Sequence, residues 1–333
     1  MALLLPGNAS CQEKSVTPKL LPPQHPKFEV PVQDLRVTST TSTQVPTSNF
    51  FGFAQCDKDG RFYLHTARGF NFNNMEVQRL KITADEGEII SYLAPTTFTV
   101  DKKGFFINFS VTPAGDLWML GESINREYFL FKFDSDGKPT SQTHLDVPDH
   151  LDLATLAVSD QQVILLAGNY NREANADIRG KRYVALFDSA GKQLKEFDAK
   201  TEKVNLEAIP TTESVAIFGE DGLLYLLLPQ SILVVSPGGT LEKRIPFENS
   251  KDFSAKHLSV SGGYLAVWMT KAAKDGPDDV QFLIINADNG ESLVKYNTTE
   301  ETGNAPLCFS RKDGFTMWRM ENKRIEVLTA NGH

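Results

Sequence analysis

Phe105-Phe-Ile-Asn-Phe-Ser-Val111, a turn at Ala114-Gly115, Leu117-Trp-Met-Leu120, Tyr128-Phe-Leu-Phe-Lys-Phe133, a turn at Asp136-Gly137, and Thr140 to Val147 follow one another in a single stretch. Apolar side chains alternate along Phe131-Lys-Phe133, the period of a strand whose successive residues face opposite ways. Asp-Gly between two such runs is the strongest short-range hairpin signal, because both residues tolerate the positive φ of a type I′ turn. Two hairpins in succession make four short antiparallel strands.

The stretch is one copy of a repeat. Its first turn recurs ahead of aromatic-rich strands at Asp59-Gly60-Arg-Phe-Tyr-Leu, Asp221-Gly222-Leu-Leu-Tyr-Leu, Gly262-Gly263-Tyr-Leu-Ala-Val-Trp and Asp313-Gly314-Phe-Thr-Met-Trp, with a degenerate copy at Gln161-Gln162-Val-Ile-Leu-Leu. Its second turn recurs at Glu86-Gly87, Ala190-Gly191, Gly238-Gly239, Asn289-Gly290 and Asn331-Gly332, at successive spacings of 50, 54, 48, 51 and 42 residues. A period near 50 residues with four strands per unit predicts an all-β, six-bladed β-propeller. Trp118, Trp268 and Trp318 fall shortly after the first turn, where Tyr63 and Tyr225 also fall, and this placement assigns them to packing between blades.

Closure follows from the ends of the domain. The last unit stops on its second turn, so its outermost strand has to come from elsewhere. Lys27-Phe-Glu-Val-Pro-Val32, or the following Leu35 to Val37, precedes the first blade and is expected to complete the sixth. Pro31 suits an outermost strand, where a missing N–H is not needed. The propeller thus covers residues 27–333, and residues 1–26 form a leader or tether with a Pro-rich linker: seven of 17 prolines lie within the first 46 residues.

Over this span the chain resembles the six-bladed β-propellers of the NHL-repeat and TolB-like kind, a superfamily that includes gluconolactonase-like enzymes. The resemblance rests on turns and alternation, and it implies a fold more than a function.

The 333 residues are 41 % apolar and 23 % charged with a formal net charge of −8. That balance argues against nucleic acid as a partner, since phosphate binding draws on a Lys/Arg surplus. The longest apolar runs, of which Leu223 to Leu228 is one, are far too short for a transmembrane helix. Met1-Ala-Leu-Leu-Leu-Pro-Gly-Asn-Ala-Ser-Cys11 resembles the tail of a bacterial lipoprotein signal with Cys11 as the lipid anchor, although no charged n-region precedes it. The expectation is an exported protein, periplasmic or on the cell surface. Cys56 and Cys308 fall on neighbouring units, where buried free thiols are expected ahead of a bridge.

Ligands of propellers gather on one loop face around the central channel. The long loops expected there are His65 to Met75, Gly121 to Glu127, Gly168 to Arg182 and Lys271 to Asp279. Asn125-Arg126-Glu127 and Asn171-Arg172-Glu173 repeat at similar offsets in adjacent blades. With Arg68, Lys271 and Tyr170, Arg126 and Arg172 form the candidate site for a protein partner or a small anionic ligand, because guanidinium forks suit carboxylates and phosphates. The competing reading makes them solvated loop charges offset by Glu127, Glu173, Asp177 and Asp275. No catalytic residue and no cofactor is assigned in this reading.

The alternative is a metal-dependent, lactonase-like hydrolase. The gluconolactonase resemblance implies a divalent cation such as calcium in the channel, held here by Asp152, Asp252 and Asn304. The expected glutamate has no counterpart at those strand mouths.

Overall fold

The hairpin signals are realised as strands throughout the computed structural model, which describes residues 30–44, 49–59, 61–67, 75–81, 88–93, 104–134, 136–198, 215–249, 252–273, 278–298, 308–310, 314–321 and 324–332. Among the described residues there are 24 strands and no helix. The first meander runs through β2 (Asn49–Cys56), β3 (Phe62–Ala67), β4 (Met75–Lys81) and β5 (Glu88–Leu93), and the second through β6 (Gly104–Val111), β7 (Leu117–Ser123), β8 (Tyr128–Phe133) and β9 (Pro139–His144). The third comprises β10 (Leu151–Val158), β11 (Ile164–Tyr170), β12 (Arg182–Phe187) and β13 (Gln193–Glu196); the fourth comprises β14 (Ala216–Phe218), β15 (Leu224–Leu228), β16 (Ser231–Val235) and β17 (Leu241–Pro246).

The remaining strands form one eight-stranded sheet. Its order is β18 (Ser254–Ser261), β19 (Tyr264–Lys271), β20 (Asp279–Asn286), β21 (Ser292–Asn297), β1 (Val32–Gln44), β24 (Arg324–Gly332), β23 (Gly314–Glu321) and β22 (Cys308–Ser310). The first strand of each meander adjoins that of the next: β2 meets β6, β6 meets β10, β10 meets β14, β14 meets β18, β18 meets β22, and β22 returns to β2. Sheets arrayed around their first strands in this way make a β-propeller.

Gly262-Gly263, with φ of 55° and 80° between the paired Ser261 and Tyr264, is the expected two-residue turn with positive φ at both positions, whereas several other turns differ from type I′. At Asp134, Asp188 and Ser236 the N–H donates to the carbonyl four residues on, and the glycine three residues on donates back to the carbonyl of the same residue. This is the three-residue hairpin loop with a bulge, in which only the third loop residue needs positive φ. Gly137, Gly191 and Gly239 occupy that place, and the register shifts by one residue beside each of these turns. The side chain opening the turn also holds it: Asp134 and Asp188 Oδ1 each accept two backbone N–H groups. The degenerate copy keeps the geometry at a steric cost, since Gln162 adopts φ 61° where other copies have glycine.

Closure uses the N-terminal strand, by a longer route than expected. Leu35 to Gln44 of β1 pair antiparallel with β24, so the Leu35 to Val37 alternative supplies the missing strand. Residues 27–29 of the other alternative lie outside the described residues, as does the segment 1–26. Val32 to Asp34 pair in parallel with β21, so β1 has a neighbour on each side and is not an outermost strand. Asn331-Gly332 is therefore no turn. It lies within β24, opposite Arg36 and Leu35, because β1 extends the pairing to the end of the strand.

Cys56 and Cys308 are joined in a disulfide with Cα atoms 5.7 Å apart, where free thiols were expected. The ring brings β2 and β22 together across 252 residues of sequence, a neighbourhood that no local pattern encodes. In the chain-entropy account, closing so long a loop contributes about 5 kcal/mol.

Among the described residues five apolar clusters lie between consecutive meanders. Tyr63 packs between the first and second, Trp118 between the second and third, and Tyr225 between the fourth meander and β18–β21. Trp268, partly buried, lies against the cluster joining β18–β21 to β22–β24, so these aromatics pack between units as expected. The Trp318 side chain lies outside the described residues. Each fully buried large apolar side chain contributes about 1.5–3 kcal/mol. Buried polar groups stitch the first strands together beneath these clusters: Gln55 bonds Phe109 O and Val111 N of β6, and Asn108 and Ser110 bond Ala154 O and Val158 N of β10.

Candidate functional site

At one end of the array β7 turns into β8, β9 leads into β10, and β11 leads into β12. The first connection is tight, although Gly121 to Glu127 is expected as a long loop. Ser123 N–H donates to Glu127 O, Arg126 N–H donates to Ser123 O, and Ser123 Oγ accepts the N–H groups of Asn125 and Glu127. This is the same three-residue loop, with Arg126 at φ 63° in the place glycine takes elsewhere. It lifts Ile124, half exposed at 51 %, to the tip of the turn.

Arg126 meets the third meander there. Its Nη1 lies 3.4 Å from Asp152 Oδ1, and Asn171 Nδ2 donates to the same oxygen at 3.3 Å. Asn171 N–H donates to His150 O, which fixes the loop after β11 against the start of β10. His150 itself adopts φ 62°, and its Nδ1 lies 3.8 Å from Glu173 Oε2. Beneath them Tyr128 OH donates to Leu151 O and accepts from Leu153 N, so its ring ties the second meander to the third.

Burial raises the Glu122 carboxyl above its ordinary range; Asp152 adds to the rise and Arg126 opposes it. Burial, with Glu122 nearby, likewise pushes the Tyr128 hydroxyl up to about 12, which keeps it protonated as a hydrogen-bond donor.

The sequence candidates are distributed as follows. Arg126 and Asp152, assigned to different readings, are partners in one ion pair. Lys271 and Asp252 are likewise paired, at 3.5 Å, on the β18–β19 unit. Arg172 is exposed beside Asn171 on the same loop as Glu173. Tyr170 is half buried against the apolar cluster between the second and third meanders, edge to face with Tyr183 at 6.1 Å, and burial raises its hydroxyl pKa. Its ring is part of the packing. Arg68 and Asn304 lie outside the described residues. Glu122, His150 and Ile124 carry no sequence signal of their own; only the shared Asn-Arg-Glu tripeptide, to which Asn171 belongs, pointed to their surroundings.

The innermost strands enclose a small cavity of about 50 Å3, partly open to solvent. Its walls come from the first strands, including Gln55, Cys56, His257, Ser259 and Cys308. Among the described residues no cluster of three His, Cys, Asp or Glu side chains is arranged to hold a metal ion.

No family model and no curated protein matches the chain. Among solved structures, a protein of unknown function from Bacteroides caccae is 12 % identical, with 77 % of this chain and 85 % of that one covered at a TM-score of 0.48. A putative TolB from Agrobacterium tumefaciens is 16 % identical, with 87 % and 92 % covered and a TM-score of 0.48. The Neurospora crassa Pan2 WD40 domain is 11 % identical, with 89 % and 95 % covered and a TM-score of 0.46.

Proposed function

We propose that this chain is a six-bladed β-propeller that acts as a non-catalytic binding module for a partner protein, engaged by the loop face between the second and third blades. The count of six is supported by the cyclic order of first strands and by treating the eight-stranded sheet as two blades fused through β1. Export is favoured by the disulfide, since such bonds persist in oxidising compartments.

The observation that carries the reading is the exposed Ile124 at the tip of a turn whose next residues reach an Arg126, Asp152 and Asn171 network on the adjacent blade. An apolar anchor ringed by both signs of charge suits a polypeptide surface, where desolvated apolar contacts supply affinity and flanking charges supply register. A small anion fits less well, because Arg126 and Lys271 each already face a carboxylate.

Immobilised full-length protein should retain a stoichiometric partner from an extract of the source cells. A variant carrying Ile124→Asp, Arg126→Ala and Arg172→Ala should retain at least about tenfold less, the scale of one lost hot-spot contact. Thermal stability should change little, because exposed ion pairs contribute about 1 kcal/mol or less. Equal retention by both proteins overturns the reading. Native mass spectrometry with elemental analysis, before and after chelation, addresses the hydrolase alternative: a stoichiometric divalent ion would replace the binding module with the metal-dependent reading.

A further inference from the structure

We infer that the Cys56–Cys308 disulfide is a reducible clasp on the seam where the first and last meanders meet, reached by small thiols through the central channel, and that its reduction opens this seam alone. The inference is independent of the binding reading.

Three observations converge on it. Both cysteines line the central cavity, together with Lys58 and His257, so the bond faces a small space that is partly open to solvent. Cys56 is partly exposed and Cys308 only 5 % exposed, so Cys56 is taken as the end that is attacked. Finally, Cys308 sits on β22, a strand of three residues held to β23 by three residue pairs, at the free edge of the eight-stranded sheet.

The position follows from strand alternation. Successive side chains of β2 face opposite neighbours: Gln55 bonds β6, while Cys56 bonds β22. Every other seam joins units consecutive in the chain, and among the described residues each of the five apolar clusters spans such a seam. The sixth seam joins β2 to β22 through the covalent bond. Because β1 holds β24 by a separate ladder, breaking the disulfide leaves the last meander attached to its other neighbours.

Reduction proceeds by two exchanges. A small thiolate attacks Cys56 Sγ; the S–S bond breaks, Cys308 leaves as thiolate and takes a proton from water. A second thiol, as thiolate, attacks the external sulfur of the mixed disulfide and releases Cys56 as thiolate, which is protonated in turn. Two reductant thiols become one disulfide, and their two electrons reside on Cys56 and Cys308.

The test uses the full oxidised chain in native buffer with dithiothreitol, followed by alkylation mapped by peptide mass and by hydrogen exchange. Peptides containing Cys56 and Cys308 should both become alkylated. Amide protection should fall in β2 and β22 and stay unchanged in β10 to β12. The melting temperature should drop by about 7 °C, given the loop length and the entropy of unfolding a chain of this size. At equal thiol concentration a thioredoxin-sized reductant should act at least about tenfold more slowly, because access limits exchange. A Cys56→Ser, Cys308→Ser variant should reproduce the exchange pattern without reductant; if it fails to fold, the reductant series on the wild-type chain decides. Alkylation only under denaturing conditions, loss of protection spread over all meanders, or equal rates with the large reductant would each overturn the clasp.

Discussion

Between the second and third meanders, Trp118, Tyr128, Leu151, Tyr183 and Phe187 interlock in one buried cluster, and Asn108, Ser110 and Tyr128 stitch the strands below with side-chain hydrogen bonds. Where β2 meets β22, the tie among the described residues is a disulfide, and the last meander is held from its far side by β1. The first kind of seam repeats, because each unit offers one face to the unit before it and the other to the unit after. The second occurs once, where the chain has to find a unit it left 252 residues earlier. Repetition builds the ring, and covalent chemistry with strand exchange closes it.

That contrast can be broken. After loss of the clasp itself, the largest effect belongs to Phe187→Ala, which removes a fully buried ring from the repeating seam. It should cost about 4 kcal/mol in denaturant melts, with amide protection falling through both flanking meanders. A loss confined to β12 would mean that these seams are not cooperative.

A pH titration separates the seams further. His65 on β3 stacks against Phe106 of β6 at 4.6 Å, and burial lowers its pKa from 6.5 to about 4. Above pH 6.5 it is neutral in both states and contributes no pH dependence. As pH falls below 6.5 the unfolded chain binds a proton that the folded chain refuses until about pH 4, so stability declines across that window by about 3 kcal/mol. His65→Phe should remove this part of the acid sensitivity in urea melts between about pH 7 and pH 4. An unchanged slope would place the acid sensitivity elsewhere.

The smallest effect tests how turns dock across a repeating seam. Gly191 has φ 81°, and a Cβ there would meet the carbonyl oxygen of His144 on β9. Gly263 has φ 80° with open space around it. Gly191→Ala should therefore cost about 2 kcal/mol and Gly263→Ala about 1, the difference being the displaced carbonyl. Equal losses in thermal melts would show that only the left-handed backbone matters.

The meanders were legible because hairpins are local. Asp136-Gly137 and its copies mark turns whose requirements lie within five residues, and alternation between them marks the strands. The geometry of the Asp136-Gly137 and Ala190-Gly191 turns is not legible in the dipeptides, because the decisive hydrogen bonds come from Asp134 and Asp188, two residues before them. Asn331-Gly332 misled for the converse reason: its turn propensity yields to a ladder supplied by a strand almost 300 residues away. The candidate site was legible only in outline. Arg126 and Asp152 were named, but their pairing crosses two meanders and no spacing encodes it.

The sequence by itself determined the unit: four short strands, two hairpins, a repeat near 50 residues and the aromatic position that faces the next unit. Tertiary structure alone decided how the units close, that Cys56 and Cys308 bond, which face shows Ile124, and which carboxylate faces each cation. The physical reason is range. Turn geometry and alternation are set by covalent neighbours, whereas closure and charge pairing depend on which distant surfaces the finished ring brings within a few ångströms.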